Sequence, residues 1–424
     1  MMRQKGYLLI IAAFFSIKGY GQQNPDQIFD TTIHTVIVAP IGNSLAAPII
    51  SLNNGGVLKV SFDDFKAQYE DYFYAIELLD SVWQPSELNE FNYVRGFNQN
   101  RITNYAASSM SMQNYFHYQF DFPNANCKPI LSGNYILKVY KGNNKQSPIF
   151  TKRFYVVEDI AIVSAVIQEP FDGSIARTHQ KVNVNVDVRN IPSFQTDQLT
   201  IKVIQNNQFN NAQSVSTPDF IKGTVLVFNN ESNLIFPGGN EARWLDLQSL
   251  SLRSDRIASI AYVDKRTHIF VKPDLSRADL LYANYKDLNG GYLIMNTESL
   301  INETQNDYAK VHFYYATKDN VALLDKRLFL TGSFTNNTLD KGSEMVFDVN
   351  KGIYQKTLLL KQGYYSYNYI LQDRIDPNIL DNFRDTEGDH TETENEYTVL
   401  VYYHTLGNKN DQLIGHVTVN SKQF

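Results

Sequence analysis

Lys181-Val-Asn-Val-Asn-Val-Asp-Val-Arg189 decides the fold class. Valines stand at 182, 184, 186 and 188, and polar residues stand between them. Successive side chains of a strand point to opposite faces, so this alternation makes one β-branched, water-avoiding face and one wet face. That is a strand of an antiparallel sheet lying on a core. Residues 135–140, 153–157, 199–204, 268–271, 311–315 and 397–403 read as further strands. The second half of 65–80 reads the same way from its Tyr-Phe-Tyr run. Turn chemistry separates the strands: Asn53-Asn-Gly-Gly56, Ser132-Gly-Asn134, Lys141-Gly-Asn-Asn144, Pro237-Gly-Gly-Asn240 and Asn289-Gly-Gly291. Helical periodicity is scarce. Many short strands with such punctuation predict a mainly β chain of consecutive immunoglobulin/fibronectin-like β-sandwich domains.

Composition agrees. Aromatic residues make up 13% of the 424, with 27 Tyr and 26 Phe, and they pack well on pleated surfaces. The net charge of −6, with no basic stripe, argues against a nucleic-acid partner. The single cysteine, Cys127, can close no internal disulfide and reads as a buried thiol. At the N-terminus, Arg3 and Lys5 precede an apolar core over 7–17, and Gly19-Tyr-Gly21 follows. That is the pattern of a removed signal peptide, 1–21, and the core is too short to span a bilayer. Boundaries near 158 and 305 then give three domains: an N-terminal sandwich over 22–158, a middle β-rich domain over 159–304 and a C-terminal sandwich over 305–424.

Few residues assemble into chemistry. The eight histidines include no i, i+4 pair of the kind a helical zinc site needs. Asp287-Leu-Asn-Gly290 starts like a calcium loop, but no acid follows at loop spacing, so it reads as an Asn-Gly turn between strands. Ser61-Phe-Asp-Asp64 pairs two acids that a strand would send to opposite faces, as at a strand ending in a capped turn. Glu387-Gly-Asp-His-Thr-Glu-Thr-Glu-Asn395 concentrates acids beside a histidine and reads as a structured loop feeding the core of the last sandwich. Residues 398–403 beyond it are apolar on both faces, as in a central strand.

Gly332-Ser-Phe334 followed by Gly363-Tyr-Tyr-Ser-Tyr-Asn-Tyr369 resembles starch- and glycogen-binding sandwich modules. The resemblance implies such a fold for the last domain. It also opens a second functional reading, a carbohydrate-binding accessory protein stacking sugars on Tyr364, Tyr365, Tyr367 and Tyr369. The stacking tryptophans of those modules are missing, since the two here are Trp83 and Trp244. An outer-membrane barrel is disfavoured, because Lys422, Asn420, Thr418 and His416 share the parity of the terminal Phe424 and would face lipid.

A longer series runs through most of the chain. It comprises Pro48-Ile-Ile-Ser-Leu52, Leu58-Lys-Val-Ser-Phe-Asp-Asp64, Trp83-Gln-Pro-Ser-Glu-Leu-Asn89, Tyr93-Val-Arg-Gly-Phe97, Ser132-Gly-Asn-Tyr-Ile-Leu137, Thr151-Lys-Arg-Phe154, Val203-Ile-Gln-Asn206, Phe236-Pro-Gly-Gly-Asn-Glu-Ala-Arg243, Lys361-Gln-Gly-Tyr-Tyr365, the 387–395 stretch and Asp411-Gln-Leu-Ile-Gly415. In order and coverage it resembles the type IX secretion system plug protein family of Bacteroidota. The resemblance implies a periplasmic protein without a catalytic, cofactor-binding or metal-binding residue. It would dock on the periplasmic mouth of the large outer-membrane translocon barrel SprA and close the idle channel. It would not insert in the membrane and would be monomeric outside the complex. The positions so marked have structural or partner-docking roles: Trp83, Pro85, Ser86, Gly96, Phe97, Gly133, Asn134, Gln205, Asn206, Gly239, Asn240, Glu241, Arg243, Gly363, Tyr364, Tyr367, His390, Glu392, Glu394 and Asn395.

Overall fold

The valine strand lies where its alternation puts it. In the strand His179–Asp187, Val182, Val184 and Val186 are buried while Asn185 is exposed. It pairs antiparallel with Ile162–Gln168 on one side and Val225–Phe228 on the other. The structure is a computed structural model that describes residues 25–109, 111–299, 302–376 and 383–422. The expected signal peptide and Phe424 lie outside the described residues.

The chain is almost all β and forms a multidomain β-sandwich. In the first sandwich, one sheet runs Gln27–Ile28, Pro148–Val157, Gly133–Lys141, Tyr72–Leu79, Asn100–Arg101, and Ile49–Ser51 joins it in parallel. The facing sheet runs Ile33–Pro40, Leu58–Asp64, Phe116–Phe122, Asn104–Ala107. Between them lies an aromatic core in which Phe62 stacks on Tyr118 at 5.1 Å and Tyr135 on Phe154 at 5.2 Å. Cys127 is buried in that core.

Strand pairing redraws the rest of the domain plan. Leu199–Gln205 pairs along its length with Glu396–Tyr403, which pairs with Gln412–Asn420. The second sandwich is therefore built from the strands of 162–237 and of 396–420. The third holds the strands of 243–373, and Arg243–Asp246 pairs with Gly363–Asp373. A cut at 304/305 would pass through one sheet, because Arg266–Val271 and Tyr308–Tyr315 pair in parallel across it. The polar run around 297–307 that suggested the cut is a connection inside the third sandwich. Local turn chemistry marks where a strand ends and says nothing of which distant strand it meets.

Residues 397–403 belong to a central strand, in the second sandwich rather than the last. Tyr397, Val399, Val401 and Tyr403 fill the second core. Leu400 and Tyr402 point the other way and pack with Trp83, Tyr155 and Val157 at the seam with the first sandwich. That seam is why neither face of the strand is polar.

Replacing Leu400 with Ala should lower stability by ~2–5 kcal/mol, the cost of emptying a packed leucine site. Asn185→Ala should stay within ~0.5 kcal/mol. Urea unfolding monitored by tyrosine fluorescence measures both, and a small loss at Leu400 would show the seam to be loose.

Candidate functional site

The polypeptide crosses between the second and third sandwiches twice, and the two crossings lie side by side. Ile235–Pro237 is the last outbound strand of the second sandwich, and Arg243–Asp246 is the first of the third. The return passes through 383–395 to Glu396–Tyr403. At Gly238 an added Cβ would sit 2.1 Å from the carbonyl oxygen of His390, so only glycine allows this approach. The crossings are stitched by backbone and side chains alike. His390 N donates to Gly239 O at 2.9 Å, and Gly239 N donates to Asp389 Oδ1 at 3.0 Å. Asn240 Nδ2 donates to Glu387 O at 2.8 Å. Asn395 Nδ2 donates to Gly238 O at 2.8 Å, and Asn206 Nδ2 donates to Asn395 Oδ1 at 2.7 Å. Gln205 Nε2 reaches Pro237 O at 2.9 Å.

Beneath the stitching is a buried ionic cluster. Glu387 is fully buried. It accepts from Arg243 Nε at 3.0 Å, Arg277 Nε at 2.8 Å and Tyr369 N at 3.0 Å. Arg243 also donates from Nη1 to Asp274 Oδ1 at 2.8 Å. Asp274 accepts from the Tyr367 and Tyr369 hydroxyls at 2.9 and 2.8 Å and pairs with Arg256. Burial alone would raise the Glu387 carboxyl, but the guanidiniums of Arg243 and Arg277 outweigh it and hold it below the usual carboxylate range.

A second carboxylate group sits on the rim of this junction. Glu241, Asp287 and Glu394 each place an oxygen within 4.8 Å of the others. Burial pushes the Asp287 carboxyl up to about 7. The charges of Glu241 and Glu394 act in the same direction, against the Asn289 and Ala242 amides. Asp287 does begin a turn, with Asn289 and Gly290 at φ of 50° and 77°, although no strand precedes it. The small cavity beside it, about 10 Å³ and lined by Asn240, Asp287, Asn289 and Asn395, has room for a water or an ion and for no larger substrate.

The marked residues sort clearly. Gln205, Asn206, Gly239, Asn240, Glu241, Arg243, His390, Glu394 and Asn395 meet at this junction. Tyr367 joins through Asp274, on the strand that Gly363 begins. Trp83 and Asn134 serve the seam between the first two sandwiches. Trp83 packs on Tyr155 at 5.6 Å, and Asn134 Oδ1 accepts from the Tyr402 hydroxyl at 2.7 Å. Gly133, beside Asn134, packs close to Leu78 and the Asp411 carbonyl. Ser86 N donates to Leu78 O at 3.0 Å, and Pro85 bridges Leu79. Gly96, Phe97 and Glu392 stand apart and exposed. Tyr365, Tyr367 and Tyr369 are buried in the third core and Tyr364 is half-buried, so the four form no sugar-stacking face.

One site escaped the sequence reading. Asp63 and Asp64 do point oppositely, and both are buried. Asp64 accepts from the Tyr72 hydroxyl at 2.8 Å inside the first sandwich. Asp63 leaves that sandwich to meet Lys361 Nζ at 2.6 Å and the Tyr308 hydroxyl at 2.5 Å, both on the third. His117 Nδ1 lies 2.7 Å from the same carboxylate. His117 Nε2 is buried without a hydrogen-bond partner among the described residues, and the Asp63–Lys361 pair ties the two sandwiches. The doubled acid of Ser61-Phe-Asp-Asp64 was its only signal.

Three sandwiches closed by buried polar junctions define a multidomain, all-β assembly, and among the described residues no helix is long and apolar enough to cross a membrane. Residues 33–158 match the family model described as Type 9 secretion system plug protein 1st domain. Among solved structures, a hypothetical protein from Parabacteroides merdae ATCC 43184 is similar over 93% of this chain and 98% of its own, with 29% identity and a TM-score of 0.89. No curated protein matches the chain.

Glu387→Gln should cost ~3–5 kcal/mol, because Arg243 and Arg277 lose their shared counter-charge. The sign with pH follows from the depressed carboxyl. Its contribution is present above the unfolded-state value of about 4.3 and is lost as pH falls through the lower folded-state value. Urea midpoints followed from neutral pH downward should fall more steeply below pH ~4 in the parent than in the variant.

Proposed function

We propose that the chain is a non-catalytic, periplasmic plug that seats on the periplasmic mouth of the secretion system's outer-membrane barrel, SprA, and closes it when no cargo passes. The observation behind this reading is the family match of the first sandwich. A wide barrel encloses water, and an idle one would breach the outer membrane. Closing it calls for a stiff body with a complementary surface and for no reactive group. The Asp63–Lys361 tie and the stitched crossing supply stiffness of that kind.

Phe97, like Glu392, is a marked residue that packing leaves unexplained. In Tyr93-Val-Arg-Gly-Phe97, Tyr93 and Val94 are buried, whereas Phe97 is 74% exposed and Phe91 nearby is 78% exposed. Gly96 is held at φ 96°, and a Cβ there would lie 2.2 Å from Asn126 O, so the strand Val94–Gly96, paired with Cys127–Pro129, is a fixed support. Exposed aromatics on a rigid support are the side chains that dominate protein interfaces.

Tagged protein should co-purify with SprA from cells lacking any competing partner of the barrel. The double variant Phe91→Ala, Phe97→Ala should keep its thermal midpoint and lose most of that co-purification. Deleting the gene should admit large antibiotics that the outer membrane normally excludes. A closed outer membrane in deletion cells shown to contain the barrel would sink the plug mechanism.

A further inference from the structure

We propose that Glu241, Asp287 and Glu394 hold one calcium ion, which clamps the second sandwich to the third. The three come from separate parts of the chain. Glu241 lies on the outbound crossing, Asp287 in the turn before Tyr292–Ile294 of the third sandwich, and Glu394 on the return just before Glu396–Tyr403 of the second.

The partner inventory leaves the group short of positive charge. Glu241 is 1% exposed. Its Oε1 accepts from Lys422 Nζ at 2.7 Å, from Glu394 N at 3.3 Å and from the Tyr282 hydroxyl. Its Oε2 is buried and accepts nothing. A buried carboxylate oxygen without a donor is costly unless a ligand completes it. Asp287 receives only neutral donors, the amides of Asn289 and Ala242. Glu394 likewise receives only the side-chain amides of Asn289 and Asn420. Lys422 is thus the only cation bonded to any of the three carboxylates among the described residues. Arg277 reaches the backbone oxygen of Glu241 and spends its charge on Glu387.

The chemistry of the gap selects the ion. Every available ligand atom is a hard oxygen, and neither histidine nor thiol belongs to the cluster. Oxygens within 4.8 Å of one another fall inside the span of about 4.6–5.2 Å that one ion can bridge at calcium–oxygen distances of about 2.3–2.6 Å. Magnesium needs a tighter, near-ideal octahedron. Glu394 is half-buried, which leaves a solvent side where waters can fill the remaining coordination positions. The Asp287-Leu-Asn-Gly290 turn contributes the start of a calcium loop, and the missing acid arrives from Glu394, far along the chain.

The test uses the chain from residue 22 onward, stripped with EDTA and titrated with calcium chloride. Calcium should raise the thermal unfolding midpoint by several degrees and bind one per chain by calorimetry. The dissociation constant expected for an extracytoplasmic oxygen site is about 10⁻⁴–10⁻³ M. Glu394→Gln, which keeps an oxygen for Asn289 and Asn420, should fold and lose the response. Asp287→Asn provides a second variant with the same expectation. An equal midpoint in EDTA and in calcium overturns the proposal, as does an unchanged response in folded Glu394→Gln. An equal or larger response to magnesium overturns the choice of calcium.

Discussion

A carboxylate removed from water must find positive charge, and Glu387 finds it on two arginines of the third sandwich. Much of the architecture follows from that demand. Glu387 sits where the chain leaves the third sandwich, so satisfying it fixes the start of the return crossing. Once 387 is pinned, Asp389, Thr393 and Asn395 can meet the Gly238–Gly239 backbone. The next residues then enter as the central strand Glu396–Tyr403. An apolar plug of equal volume can be as stabilising as a buried ion pair. It would tolerate sliding, however, and a bidentate guanidinium facing a carboxylate does not.

The same strand carries the constraint outward. One face completes the second core, and the other, through Leu400 and Tyr402, forms the seam with the first sandwich. Asp63 and Lys361 then tie the first sandwich directly to the third. Each sandwich is therefore held to both of the others, and the contacts close a triangle. Interfaces between domains are by default mobile unless they are large or strongly fixed. Here hinge motion about one seam would have to break a buried ion pair at another.

How much of this was legible in the sequence depended on range. The period-two valines at 182–188 and the two-faced run 397–403 were readable because side-chain alternation is a local property. The starch-module pattern pointed to the Gly363–Asp373 strand, whose tyrosines turned out to be core. The boundary near 305 failed because strand partners are chosen by burial over long distances. At Asp63 and Asp64 strand alternation correctly predicts opposite faces and carries no hint that the outer face is also covered. Glu241, Asp287 and Glu394 are separated by 45 or more positions, so no spacing rule joins them.

The marked positions divide in a way that bears on function. Most of them are glycines that permit close approach, amides that bond backbone, or charges that neutralise one another across a seam. Such residues are explained by the fold before any partner is considered. A body whose task is to fill an opening needs its domains held at fixed angles, because its working feature is its outline. Seam residues are then functional in the indirect sense that they set the outline. In the proposed plug role the direct contacts would fall to exposed side chains such as Phe97, which contributes little to the fold it stands on.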